Sequence, residues 1–171
     1  MELTELYDAE KRPTGRVVPR LSERGPGEYV LIVSVWVRDG AGRLLATLRS
    51  PEKLSWPGYW ENPGGMALAG ESSEAACRRE LLEETGLSAP EGALRLLASV
   101  REPERLAFID TYFLPLSEER PPLRLQPGET ADARWLTPPE LDALCARGLV
   151  AGPIRAHWEL LREKVLAAME A

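Results

Sequence analysis

Residues 65–87 read Gly65-Met-Ala-Leu-Ala-Gly-Glu71-Ser-Ser-Glu-Ala-Ala-Cys-Arg-Arg79-Glu80-Leu-Leu-Glu83-Glu84-Thr-Gly86-Leu87. Ser72 or Ser73 can cap a helix that runs to Thr85, with Glu74 in its acidic first turn and Gly86 as its stop. At about 100° per residue, Glu80, Glu83 and Glu84 fall within a sector of roughly 100° on the final turns. Like charges at these spacings destabilise a helix by ~0.2–0.5 kcal/mol per pair, and anions at its carboxyl end oppose the macrodipole. Helix stability does not select this arrangement. A divalent cation does, because Mg2+ takes hard oxygen ligands and completes its shell with water and substrate phosphate oxygens. Taken alone, three clustered glutamates have a plainer reading, a solvated acidic face balanced by Arg78 and Arg79.

Upstream of this helix, residues 3–7 and 15–18 read as short strands around the polar turn 8–14, an N-terminal β-hairpin within an extension over 1–28. Residues 29–38 are strongly β-prone, and Asp39-Gly-Ala-Gly42 turns the chain into a second strand over 43–49. Pro51, Pro57, Pro63, Gly58, Gly64 and Gly65 make 50–65 a shaped loop without regular structure. Downstream, strands are expected at 94–100, 106–114 and 133–136. A helix over 138–147 follows, opened by Thr137 with Glu140 three residues on, and a last helix covers 153–170. The irregular alternation predicts an α/β (α+β) fold in one domain over 1–171, a mixed β-sheet sandwiched between helices. Neither a GxGxxG fingerprint nor a Walker A loop is present, which removes the main support for dinucleotide-binding and P-loop folds.

The 171 residues carry 21 Lys+Arg against 27 Asp+Glu, a net charge of -6, so the basic footprint of a nucleic-acid polymer binder is missing. With 44% hydrophobic and 28% charged residues the chain can bury a core. No signal or transit peptide is recognisable, and no apolar run approaches the ~20 residues needed to span a bilayer. Cys77 and Cys145 lie far apart without CxxC spacing and read as buried, reduced thiols, so a cytoplasmic protein without membrane attachment is expected. The single histidine, His157, reads as a surface or packing residue. Leu160, Leu161, Val165 and Leu166 form an apolar stripe that can face the sheet or a second copy, leaving monomer and homodimer both open.

The spacing of residues 65–87 is a glycine, five residues, a glutamate, seven residues, then Arg-Glu-aliphatic-any-Glu-Glu-any-Gly-aliphatic. Nine constrained positions in 23 residues resemble the Nudix box, and the flanking strands with Arg134-Trp135-Leu136 extend the resemblance over about 29–144. The resemblance implies a metal-dependent hydrolase in which Glu80, Glu83 and Glu84, with the Gly64 carbonyl, hold Mg2+, or Mn2+ in its place. It implies Glu80 and Glu84 as catalytic carboxylates, Glu80 as the base, Arg79 orienting Glu80, and Glu71 tying the loop to the helix. A further catalytic carboxylate on a loop is expected at Glu129, with Glu118, Glu119 and Asp132 as rivals.

Arg49-Ser-Pro-Glu-Lys53 and Trp56-Pro-Gly-Tyr-Trp60-Glu-Asn62 look like the isopentenyl diphosphate isomerase branch of that family, where Arg49 and Lys53 match diphosphate-gripping positions. Isomerase chemistry in that branch needs a cysteine where this chain has Gly64, and histidines around its metal where this chain has none nearby. Hydrolysis of a nucleoside di- or triphosphate, a small-molecule partner, is therefore the expected reaction, with Trp56, Tyr59 and Trp60 as candidates to stack on a base. Nucleotide sugars or dinucleotide cofactors are the alternative substrates, and a nucleotide-binding module without turnover is the alternative outside enzymes.

Overall fold

Among residues 2–171, which the computed structural model describes, nine strands and three α-helices follow in order. They are β1 (Leu3–Tyr7), β2 (Pro13–Pro19), β3 (Val30–Arg38), β4 (Leu44–Arg49), β5 (Trp60–Glu61), β6 (Gly64–Met66), α1 (Ser73–Thr85), β7 (Arg95–Glu102), β8 (Ala107–Pro115), β9 (Thr130–Leu136), α2 (Pro138–Ala146) and α3 (Gly152–Glu170). A 3-10 turn, Pro103–Arg105, joins β7 to β8. The first two helices have local start signals. Ser72 caps α1 by accepting the Ala75 amide and Gly86 ends it at φ 75, a left-handed conformation that glycine adopts without steric penalty. Thr137 and Glu140 complete a capping box for α2.

The nine residues of β3, seven of them apolar, organise the rest because both faces of the strand are covered. Leu31, Val33, Val35 and Val37 point toward α1 and join Cys77, Leu81, Phe108 and Tyr112 in one core. Trp36 points the other way, into a core shared with Leu141, Cys145, Trp158 and Val165 of α2 and α3. The mixed sheet between helices is thus present, with α1 on one face and α2 and α3 on the other. β3 runs parallel to β8, from Val30 opposite Ala107 to Arg38 opposite Pro115, and β8 pairs antiparallel with β7.

On its other side β3 meets β4 at a single rung, Arg38 opposite Leu44, and the two strands then separate. The chain after β4 fills the gap. Trp60 and Glu61 pair with Leu48 and Thr47, whereas Gly64, Gly65 and Met66 pair with Ser34, Val33 and Ile32. The expectation of no regular structure in 50–65 is corrected here: four of these residues, Trp60, Glu61, Gly64 and Gly65, form short strands, because two splayed neighbours offer them free backbone groups. Buried Asn62 bridges the crossing, its Nδ2 donating to the Val35 carbonyl at 3.2 Å.

The N-terminal hairpin of β1 and β2 is present and docks on the sheet through buried Leu6, which packs with Val30, Ala107 and Ile109. From the hairpin turn, Lys11 Nζ donates to both oxygens of buried Asp110, at 2.5 and 2.7 Å, and to Ser99 Oγ at 2.8 Å. Of the apolar stripe on α3, Leu161 and Val165 are buried while Leu160 is 62% exposed. Among the described residues no helix is long and apolar enough to cross a membrane.

Candidate active site

The wedge of residues 60–66 carries the start of the box into the gap between β3 and β4, and α1 brings its carboxylates onto the same place. Neither glycine there has room for a side chain. A Cβ on Gly64 would strike the Val33 carbonyl and stand 2.8 Å from Ser34 Cα, and one on Gly65 would overlap the Glu80 carboxylate. Glu80 therefore lies directly on the Gly65 backbone. One turn on, Glu84 accepts the Gly64 amide at 3.1 Å.

Arg79 ties the assembly together. Its Nε and Nη2 grip the two oxygens of Glu71 at 2.8 and 3.0 Å, a bidentate pair, and Nη1 reaches Glu80 at 2.9 Å and Glu83 at 3.1 Å. Nη2 also donates to the Met66 carbonyl at 3.1 Å, and Glu71 accepts the Leu68 amide at 2.8 Å. One guanidinium thus fastens loop, helix and carboxylate to each other.

Burial opposes ionisation across this cluster. It raises the Glu84 carboxyl well above the usual glutamate range, with the neighbouring Glu61 carboxylate adding to the effect. It also raises Glu80, against the pull of Arg79, and Glu61, against the pull of Arg49. At Glu71 the same penalty is outweighed by the hydrogen bonds from Arg79 and Leu68, which hold its carboxyl low. Among the described residues no three His, Cys, Asp or Glu side chains already stand in metal-holding geometry, and Glu83 turns out to Arg79 at 47% side-chain exposure. The donor chemistry nonetheless fits a hard divalent cation. Carboxylates of Glu61, Glu80 and Glu84 share one cleft, and a cation there would balance charge that burial and mutual repulsion make unfavourable.

The cleft measures about 290 Å3, and Glu80, Glu83, Glu84, Gly64, Arg79, Arg49, Lys53 and Glu129 all line it. Arg49 Nη1 holds Glu61 at 2.8 and 2.9 Å while Nε and Nη2 donate to Ser55, so most of its donors are engaged. Lys53 pairs with Glu129 across the cleft wall and keeps spare N–H donors. Glu71 stands behind Arg79, outside the lining. Glu119 and Asp132 turn instead to Arg43 and Arg134, and neither they nor Glu118 reach the cleft.

The aromatic expectations are revised. Trp60 is 6% exposed and belongs to the core with Trp36 and Trp158, with the Arg134 guanidinium 4.8 Å from its ring centroid, so it has no free face for a base. Trp56, 42% exposed at φ 52, lies edge-on to Tyr59 and against Gly152 at the start of α3, outside the cleft lining. His157 is no surface residue: it is buried, bonded through Nε2 to Glu102, and lines the cleft. Glu61 escaped the sequence reading, since only the pairing of β4 with β5 sets it beside Arg49 and no local spacing signals it. Both thiols are inert. Burial pushes Cys77 up to about 12 and Cys145 up to about 11, and neither lines the cleft.

The NUDIX domain family model matches residues 28–154. The chain is 35% identical over 149 residues to an uncharacterized Nudix hydrolase of Listeria monocytogenes, covering 86% of this chain and 87% of that protein. It is 32% identical over 146 residues to an isopentenyl-diphosphate Delta-isomerase of Nocardia farcinica, with 83% of each covered. The crystal structure of DR0079 from Deinococcus radiodurans is similar at a TM-score of 0.76 and 27% identity, covering 95% of this chain and 98% of that one.

Proposed function

The chain belongs to the Nudix hydrolases, and on that premise we propose that it cleaves the phosphoanhydride of a nucleoside di- or triphosphate with Mg2+, or Mn2+ in its place, held by Glu80, Glu84 and the Gly64 carbonyl. The observation that carries this reading is the convergence of three carboxylates, the buried Glu80 and Glu84 and the half-buried Glu61, on one cleft that also holds Lys53 and Arg49. When bound, the cation lowers the pKa of a coordinated water and neutralises the phosphate oxygens.

The chain's own groups do the rest. Glu80, fixed between Gly65 and Arg79, with its carboxyl raised above the usual glutamate range by burial, is placed to take a proton from the attacking water. As the water oxygen joins phosphorus, the anhydride P–O bond breaks and the second phosphate leaves as an anion. Lys53, with donors left over from Glu129, receives charge that develops on the phosphates, and Glu129 keeps that ammonium in position. Glu83, turned toward Arg79, lines the same cleft and would join the ligands of the cation by exchanging partners.

The similarity to a Delta-isomerase does not extend to its reacting group: Gly64 stands where that chemistry needs a cysteine, and Cys77 and Cys145 lie outside the cleft. The two unpaired cysteines favour a reducing compartment, the cytoplasm. Product release measured with Mg2+ or Mn2+ over nucleoside diphosphates, triphosphates, nucleotide sugars and dinucleotides tests the proposal. Metal-dependent turnover that disappears in Glu84→Gln supports it, and its best kcat/KM names the substrate. Binding of a nucleotide without turnover of any compound would instead establish a binding module.

A further inference from the structure

Trp56 has no part in the proposed hydrolysis, yet its backbone is costly. It stands at φ 52, in the left-handed region that a bulky residue rarely adopts, and such a conformation persists only where surrounding contacts enforce it. Two contacts do so here. The indole meets Tyr59 edge-on, with ring centroids 5.2 Å apart and planes at 84°, and its far edge lies on the backbone of Gly152, the first residue of α3. A Cβ at position 152 would stand 2.9 Å from Trp56 Cη2 and 3.1 Å from Cζ2, inside the roughly 3.5–4.0 Å at which non-bonded carbons pack. Gly152 is not among the glycines of positive φ, so the approach of the indole is what excludes a side chain there.

This contact joins two walls of the cleft. One is the loop between β4 and β5, which contributes Lys53 and Ser55, and the other is the start of α3, which contributes Pro153, Ile154 and His157. The base of the loop is secured by backbone: the Arg49 amide donates to the Tyr59 carbonyl at 3.0 Å and the Gly58 amide to the Arg49 carbonyl at 3.1 Å. Just beyond, Trp60 exchanges backbone hydrogen bonds with Leu149 and Ala151, both at 2.9 Å. The tip is held by side chains. Glu129 pairs with Lys53, Arg49 donates to the carbonyl and Oγ of Ser55 at 2.9 and 3.2 Å, and Trp56 supplies the contact with α3.

We propose that Trp56 is a positioning residue for the hydrolysis: its ring, seated between Tyr59 and Gly152, sets the separation of the Lys53 loop from α3 and so holds the Lys53 ammonium at the substrate phosphates. The assignment rests on the hydrolase reading above and adds to it a residue that touches no substrate. Glu129 restrains the ammonium by charge, whereas Trp56 restrains by packing the backbone that carries it. Gly152 is the other half of the device, because a side chain there displaces the ring.

Trp56→Ala and Gly152→Ala reach one contact from its two sides, and steady-state kinetics of the full chain with Mg2+ and the best substrate compares them with Lys53→Met. Each lowers kcat/KM by about tenfold, divided between kcat and KM in the same proportion as the larger loss in Lys53→Met. The double variant Trp56→Ala/Gly152→Ala is no worse than either single one, since the ring that the new methyl displaces is already gone. In the Lys53→Met background, Trp56→Ala causes no further loss. An indole that served stability alone would shift the urea midpoint and produce none of this pattern.

Amide hydrogen exchange reads the same contact without substrate. Gly152→Ala speeds exchange at Gly58 and Tyr59, across the contact from the substitution, by about tenfold, while the Trp60 amide keeps its wild-type rate. Unchanged kcat/KM in Trp56→Ala, or a loss that multiplies fully with that of Lys53→Met, overturns the positioning role and leaves the hydrolase reading intact. If no compound is cleaved the hydrolase reading fails separately, and exchange at Gly58 and Tyr59 that Gly152→Ala leaves unaltered overturns the coupling of loop to helix on its own.

Discussion

Glu80 occupies the space that a side chain on Gly65 would need, so the requirement for glycine there is steric and lies in the chemistry as much as in the chain. Gly65→Ala must push the Glu80 carboxylate aside and break its contact with Arg79. A displacement of about 1 Å in a reacting group lowers turnover by about 100-fold, and the expected result is a kcat loss of that order in a protein that still folds, checked by kinetics alongside circular dichroism. The two tryptophans of the neighbouring loop divide differently. Trp60→Ala removes a core indole and is expected to lower stability by about 3–5 kcal/mol, whereas Trp56→Ala, at the surface, changes it by less than about 1 kcal/mol. Urea unfolding of both variants measures the contrast. At this scale the sequence was informative wherever a residue acts through near neighbours. Glu80, Glu83, Glu84, Arg79 and Glu71 share one helix and its leading loop, and their mutual hydrogen bonds follow from spacing. Trp60 and Glu61 were misjudged or missed because their roles depend on strands far away in the chain.

Among the elements, the turn between β3 and β4 is organised by one buried carboxylate. Asp39 is fully buried and receives the Ala41 and Arg43 amides at 3.0 and 2.9 Å, the Arg43 Nε at 2.9 Å and the Arg120 amide at 3.2 Å. Burial opposes its charge, but these donors outweigh it and hold the carboxyl below the ordinary aspartate range. The unfolded chain therefore binds a proton at higher pH than the folded one. The stability that Asp39 contributes is complete above about pH 4 and is lost as the pH falls through the lowered folded value. Asp39→Asn is expected to destabilise the protein by about 1–3 kcal/mol near neutrality, with the difference from wild type shrinking toward pH 3 in urea titrations. A constant difference across that range would show that the carboxylate charge is not what holds the turn. α1 and α2 were legible because caps and stops are local signals, while β5 and β6 were not, since two- and three-residue strands exist only through the neighbours that β3 and β4 leave unpaired.

In the whole molecule, the family match covers 28–154 and leaves the N-terminal hairpin outside it. That hairpin is nevertheless fastened into the structure by Leu6 in the core and Lys11 on Asp110, and it brings Glu2 and Arg20 to the cleft. The layered sheet was readable from the order of strands and helices, but the cleft was not, because hairpin, box and α3 meet there from opposite ends of the chain. The same convergence reconciles a net charge of -6 with the anionic substrate proposed above: Arg49, Lys53, Arg79 and Arg105 are gathered on one cleft, and the carboxylates among them are the proposed ligands for a cation. The central claim, water attack on a phosphoanhydride at the Glu80–Glu84 cluster, is tested most directly by hydrolysis of the best substrate in 18O-labelled water with Mg2+, comparing wild type with Glu84→Gln. The account predicts 18O in one phosphate product, no turnover after chelation of the metal, and loss of turnover in the variant. Turnover that survives chelation or Glu84→Gln, or product without 18O on phosphorus, would contradict it.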